Sequence, residues 1–164
     1  ANYYVMRHWA EIYGGAMGTM LPDCFTSEVF FRNFSLDMAK LYDGVRHDSG
    51  DPIAFGEKMI AKYESYHIDP RTKSIVFSDS LDFDRALEIH NYFKDRIGVS
   101  FGIGTNLTND VGTSKPLNIV MKLKTFQVNP RQHIYRCVKL SDVPGKEIGD
   151  PDEVHSYKVI LGLI

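Results

Sequence analysis

Hydrophobic positions along the chain follow two rhythms: short continuous runs, and longer stretches with a helical period. The runs, rich in β-branched residues, lie at Met17–Leu21, Gly44–Arg46, Ser74–Phe77, Val99–Ile103 and Leu117–Leu123. Their starts are spaced by roughly 20 to 30 residues, the length of a strand, a loop and a helix together. Continuous rather than alternating runs predict strands covered on both faces, as in a parallel sheet.

Between the runs the period lengthens. Met6, Trp9, Ala10 and Tyr13 share one helical face, and Gly14-Gly15 ends that helix. Phe30, Phe31 and Phe34 form a second stripe, broken at Ser35, which can cap a short helix through Leu41. Asp51-Pro52 reads as an N-cap and first-turn proline, ahead of Gly56, Met59, Ile60 and Tyr63 on one face. Asp82 can cap a helix bearing Ala86, Leu87, His90, Phe93 and Ile97, closed by Gly98. Asn129-Pro130-Arg131-Gln132-His133 reads as a hairpin turn between extended Leu117–Phe126 and Ile134–Leu140. The alternation predicts an α/β fold with right-handed crossovers, plus a small antiparallel hairpin near the carboxyl terminus.

Composition narrows the function. The 164 residues carry 19 Lys+Arg against 21 Asp+Glu, a formal charge of −2, which argues against a general nucleic-acid binder. A mean hydropathy of −0.23 and 43% hydrophobic residues describe a globular chain. No apolar run approaches the ~18 residues of a membrane span. No charged-then-apolar leader opens the chain, so no secretory signal is expected. Cys24 and Cys137 form no Cys-x-x-Cys pair and read as two buried, reduced thiols of a cytoplasmic protein. Length alone suggests a single domain with one core.

Parallel α/β sheets place their chemistry at the carboxyl ends of the strands. After the second run, Arg46 and Asp48 stand two residues apart and so point the same way. Arg46 can stack on a ring or pair with phosphate, and Asp48 can accept from ribose hydroxyls or from a magnesium-bound water. The same pair also reads as an internal ion pair, and Asp51 as a plain cap. After the third run, Ser78-Asp79-Ser80 can hold phosphate and ribose, or serve as capping chemistry ahead of Asp82. After the fourth, Gly102-Ile103-Gly104-Thr105 lets backbone approach an anion, or makes an ordinary turn. It is neither a Walker loop nor the dinucleotide fingerprint. On three consecutive strands, these loops together resemble a ribose-phosphate site.

Other chemistry recedes. His8, His47, His67, His90, His133 and His155 show no zinc spacing, and no metal-ligating residue is expected. His90 reads as a packing residue, and His47 as facing the side of the strand opposite Arg46. There is no Gly-x-Ser-x-Gly nucleophile elbow.

Three strings in this order closely resemble the nicotinate phosphoribosyltransferase family. They are Gly44-Val45-Arg46-His47-Asp48-Ser49-Gly50-Asp51-Pro52, Phe77-Ser78-Asp79-Ser80-Leu81-Asp82 and Ser100-Phe101-Gly102-Ile103-Gly104-Thr105-Asn106-Leu107-Thr108. Pro116–Leu123 and Val138–Lys146 extend the resemblance over nearly the whole chain. It implies an irregular TIM-like (β/α) barrel of the type II phosphoribosyltransferase kind, of which residues 1–164 form a carboxyl-terminal part, the N-terminal domain being absent. It also implies transfer from 5-phosphoribosyl 1-diphosphate to nicotinate in NAD salvage, with Mg2+, with ATP as coupled co-substrate, in a cytoplasmic homodimer. Neither nucleic acid nor membrane is an expected partner.

Carried over by position, Arg46, Asp48 and Asp79 look like the catalytic group. Ser78 and Ser80 look like the ribose-phosphate loop, and Gly102, Gly104 and Thr105 like the 5′-phosphate cradle. Asp23 stands where the family keeps an acid near the ribose or diphosphate. Lys122 and Lys139 read either as added positive charge or as solvated lysines. None of the six histidines matches the family's phosphate-accepting histidine, so the chain is expected to be inactive alone. The nicotinamide-specific relative, with its equivalent Arg-x-Asp-Ser-Gly loop, and a non-catalytic sugar-phosphate module remain as alternatives.

Overall fold

The computed structural model describes residues 2–109, 111–115 and 119–164. Four strands, β1 (Thr19–Met20), β2 (Gly44–His47), β3 (Ser74–Phe77) and β4 (Gly98–Phe101), pair in parallel in the order of the chain. The register sets Gly44 opposite both Thr19 and Ser74, and Phe77 opposite both His47 and Phe101. The carboxyl ends of β2, β3 and β4 therefore finish level, and the loops that follow them emerge side by side.

The helices are α1 (Asn2–Tyr13), α2 (Ser27–Asn33), α3 (Leu36–Leu41), α4 (Pro52–Ser65), α5 (Phe83–Phe93), α6 (Thr105–Thr108) and α7 (Pro151–Ile160). Helix α4 starts where its sequence says it should: the Asp51 carboxylate accepts from the amides of Ile53 (2.7 Å) and Ala54 (3.0 Å), with Pro52 in the first turn. Gly56, Met59, Ile60 and Tyr63 are all buried, joined by Phe55. Asp82 caps α5 through the Arg85 amide at 2.7 Å. Phe93 of α5 presses on Gly56, where a Cβ would lie 2.2 Å from the Phe93 ring. A single core forms as these faces meet Val45, Ile75 and Phe77 of the sheet and Phe30, Phe34 and Met38 of α2 and α3.

Five expectations need correction. The α5 face is Ala86, Ile89 and Phe93. Leu87 and His90 are exposed, because a stripe stepping by three and then four from Ala86 passes between them. Ser35 precedes α3 without a side-chain bond to the helix backbone; its hydroxyl bonds the Asp37 carboxylate instead. Of the expected strand Leu117–Leu123, residues 117 and 118 lie outside the described residues. Ile119–Leu123 is no strand and is exposed, Met121 at 88%, because no described strand lies beside it to share a ladder. The hairpin exists but is short: β5 (Thr125–Phe126) pairs antiparallel with β6 (Tyr135–Arg136), the rings of Phe126 and Tyr135 stacking at 4.8 Å. Finally, Cys24 and Cys137 are free, as expected, but only half-buried.

The sheet is open among the described residues, with β1 and β4 at its edges. No closed barrel is found; four strands are half the eight that closure of a TIM-type barrel takes.

The Tyr63 hydroxyl is buried on α4 without a hydrogen-bond partner among the described residues, and burial pushes its phenol pKa up. Tyr63→Phe keeps the ring and deletes the unpaired group, so it is expected to stabilise the fold by about 1 kcal/mol. Calorimetry should show a melting temperature higher by roughly 2–4 °C. A lower one would mean that the hydroxyl is paired after all.

Candidate functional site

The strand ends bring four remote segments together. Arg46, the exposed residue of β2, donates from Nη2 to Asp48 Oδ1 at 2.6 Å and from Nε to Ser78 Oγ at 2.8 Å. The Ser78 hydroxyl in turn donates to the His47 carbonyl at 2.9 Å, and the Ser78 amide reaches the same oxygen at 3.0 Å. Arg46 is thus fixed against two strands at once. Of the alternatives drawn from the sequence, the ion pair is observed: Arg46 and Asp48 are bonded to each other on the strand-end ledge, with the Arg46 side chain 46% exposed.

Asp23 follows β1 and is 1% exposed. Its Oδ2 accepts from Ser49 Oγ at 3.1 Å and from Lys139 Nζ at 3.3 Å, while Oδ1 has no partner among the described residues. Lys139 Nζ also lies 4.0 Å from Asp48 Oδ2. Asp48 is paired chiefly with Arg46, so the Lys139 ammonium is the charge partner of Asp23, which without it would be a buried, uncompensated charge. Lys139 arrives through pairing far from the sheet. It exchanges backbone hydrogen bonds with Ile148 at 2.8 and 2.9 Å, and the adjacent Leu140 amide donates to the Cys24 carbonyl at 2.9 Å. The Ser27 amide holds Asp142 Oδ1 at 2.7 Å, pinning the same segment beside β1. Lys122, by contrast, is exposed.

Asp79 and Ser80 form the next corner. Ser80 takes a positive φ of 52°, uncommon for a residue with a Cβ, and its hydroxyl donates to Asp79 Oδ1 at 3.0 Å. Gly102 donates its amide to the Phe77 carbonyl at 2.8 Å. A Cβ on Gly102 would sit 3.2 Å from that of Ser78, so the glycine leaves room beside the hydroxyl that Arg46 uses. A Cβ on Gly104 would meet nothing within 4 Å among the described residues. Thr105 opens α6, and Asn106 ties that turn to the Leu81 carbonyl at 3.0 Å. The structure therefore joins Arg46, Asp48 and Ser78 directly, links Asp23 to Asp48 only through Lys139, pairs Asp79 with Ser80, and sets Gly102 against Ser78. Gly104 and Thr105 stand on the adjoining turn.

Sequence reasoning undervalued two residues. Lys139 had one signal, its place in the string Val138–Lys146. Ser49 had its place between Asp48 and Gly50. Surface hollows lie at both ends of the sheet: one of about 280 Å3 is lined by Ser27, Ser49, Gly50, Asp51 and Asp142, beside the carboxyl end of β2, and one of about 390 Å3 by Arg71, Asp95, Ile97 and Gly98, at the amino-terminal end of β3 and β4, the wrong end for α/β chemistry. Among the described residues, no group of three or more His, Cys, Asp or Glu side chains could hold a metal ion. No described helix is long and apolar enough to cross a membrane.

Comparison with known proteins gives a consistent result. Residues 2–162 match the model of the nicotinate phosphoribosyltransferase (NAPRTase) family. The nicotinate phosphoribosyltransferase of Desulforapulum autotrophicum is 50% identical over 161 residues, covering 98% of this chain and 41% of that protein. That of Chromohalobacter salexigens is 49% identical over 164 residues, covering 99% and 41%. Among solved structures, the nicotinate phosphoribosyltransferase of Porphyromonas gingivalis superposes with a TM-score of 0.93 at 50% identity, covering 98% of this chain and 42% of the other. That of Vibrio cholerae gives 0.88 at 38% identity, covering 97% and 38%. The chain spans about two fifths of the length of the curated relatives it matches.

Proposed function

The chain belongs to the nicotinate phosphoribosyltransferase family, and from that premise we propose that it supplies the ribose-phosphate half of a site joining nicotinate to 5-phosphoribosyl 1-diphosphate. The products are nicotinate mononucleotide and diphosphate, a step of NAD salvage. The observation that carries the reading is the convergence of Asp23, Arg46, Asp48, Ser78 and Lys139 from segments up to 116 residues apart.

The nicotinate ring nitrogen attacks the anomeric carbon as diphosphate leaves, so positive charge develops on the sugar and negative charge on the leaving group. Carboxylates at Asp48 and Asp79 suit the first charge; Arg46, Lys139 and backbone amides of the Gly102–Thr105 turn suit the second. Because the ring nitrogen is a free nucleophile, this reading requires no general base. His8, His67, His90, His133 and His155 are exposed, and His47 is buried away from Arg46. Magnesium would offset the diphosphate's charge when bound. With no multi-ligand cage among the described side chains, these residues fit a metal that arrives on the diphosphate. ATP acts as coupled co-substrate in this reading, and no residue here is assigned to it.

We also infer that the sheet is an arc of a type II phosphoribosyltransferase barrel, with residues 1–164 as a carboxyl-terminal part of that domain. Strand order 1-2-3-4 without reversal supports this, since doubly wound sheets reverse order at a switch point. The whole enzyme would work as a cytoplasmic homodimer.

The test is phosphoribosyl transfer by the whole enzyme containing this chain, with nicotinate or nicotinamide as acceptor and mononucleotide followed by chromatography. Faster transfer to nicotinate is expected, with none by the 164-residue chain alone. A preference for nicotinamide would reassign the substrate, and phosphoribosyl diphosphate binding without product from either acceptor would leave a binding module.

A further inference from the structure

His47 lies between Arg46 and Asp48, and strand alternation turns it to the other face of the sheet. It is 2% exposed. Its ring lies 5.1 Å from that of Phe55 on α4 and 5.7 Å from that of Phe77 on β3. Among the described residues neither ring nitrogen makes a well-formed hydrogen bond, although the Ser49 backbone lies close enough to favour the charged ring. A buried imidazole left unpaired costs free energy that an apolar ring in the same slot would not.

We propose that His47 is a positioning residue, whose neutral ring between Phe55 and Phe77 sets the end of β2 and through it the aim of Arg46 and Asp48. The link is a single carbonyl. His47 is in register with Phe77, the last pair of β2 and β3. Its carbonyl accepts both the amide (3.0 Å) and the hydroxyl (2.9 Å) of Ser78. With its proton held there, the hydroxyl presents a lone pair to Arg46 Nε at 2.8 Å. Displacing the ring moves the carbonyl, which turns the hydroxyl that aims the guanidinium.

Protonation is one way to displace it. Burial lowers the His47 pKa below its ordinary 6.5. The carboxylates of Asp79, Asp23 and Asp142 and the Ser49 backbone act in the opposite sense, and Asp51 at the start of α4 also feels the ring. With the folded value below the unfolded one, the unfolded chain binds the proton first. The stabilisation is complete above the unfolded value and declines as pH falls through 6.5 towards the folded value. In that window the charged ring is driven from its slot.

The inference rests on the proposed function only for what Arg46 and Asp48 act upon, so its test needs no substrate. In NMR titrations of the 164-residue chain, the imidazole with contacts to Phe55 and Phe77, absent from His47→Phe, is expected to titrate below 6.5. The Ser78 and Asp48 amide signals should shift with the same midpoint, and this coupled shift should vanish in His47→Phe. A midpoint at or above 6.5, or Ser78 and Asp48 amides that ignore it, would overturn the proposal. The ring contacts assign the signal even if the variant fails to fold. In the whole enzyme the same coupling should appear as an acid limb in kcat that His47→Phe lacks. A shared limb would count against His47, whereas complete absence of transfer would count against the functional reading alone.

Discussion

Replacing Gly44 with alanine is expected to destabilise the fold by about 3 kcal/mol or more, the larger end of overpacking costs. Gly44 begins β2 and is paired on both sides, with Thr19 and Ser74. A Cβ there would lie 2.1 Å from the Ser74 carbonyl oxygen and 2.6 Å from its hydroxyl. A hydroxyl can rotate away; a carbonyl in a parallel ladder cannot. Accommodating the methyl group therefore means parting β2 from β3, the pair that carries Arg46 and Ser78. Against a total stability of order 5–15 kcal/mol, such a loss lowers the melting temperature by roughly 6–12 °C at this chain length. Circular dichroism would measure it. Ser74→Ala should not rescue the variant, because it removes the hydroxyl and leaves the carbonyl. Full rescue by Ser74→Ala would show that backbone crowding is not the cause.

Gly44 also shows where local pattern is informative. The run Gly44–Arg46 announced a strand, and the structure extends it by one residue to His47. Ser74–Phe77 and the caps Asp51 and Asp82 stand as the sequence predicts them, because both rest on interactions within a few residues. Local pattern fails where the deciding partner is distant. Leu87 and His90 fit a helical stripe as well as Ile89 does until α4 determines which side faces inward. The apolar Ile119–Leu123 looks like a strand but has no described neighbour to pair with, and strand character without a partner is only composition. For the site, the strand-end loops were legible because successive parallel strands must finish together. Lys139 was not. It reaches Asp23 across 116 residues of sequence, through the pairing with Ile148 and the burial of Leu140, neither of which leaves a local signature.

Removing Arg46 is expected to cost phosphoribosyl transfer more than any stability effect would suggest. The side chain is 46% exposed and its ion pair with Asp48 is open to solvent, so Arg46→Ala should change stability by no more than about 1 kcal/mol. Its role in the proposed reaction is different. Three of its five N–H groups remain after Nε serves Ser78 and Nη2 serves Asp48, and they are held in place before any substrate arrives. Deleting one pre-aimed donor of this kind typically costs 10²- to 10³-fold in kcat. Arg46→Ala should therefore lower kcat/KM of the whole enzyme about 10³-fold while circular dichroism stays unchanged. Arg46→Lys keeps the charge but cannot hold Ser78 and Asp48 in a fixed fork, so its loss should fall short of that of alanine yet exceed tenfold. If lysine restored full activity, the site would need only a positive charge, and the anchoring by Ser78 would carry no catalytic weight. If alanine lost less than tenfold, Arg46 would be a structural ion pair after all, and the ledge would have to work through Lys139 and the Gly102–Thr105 turn.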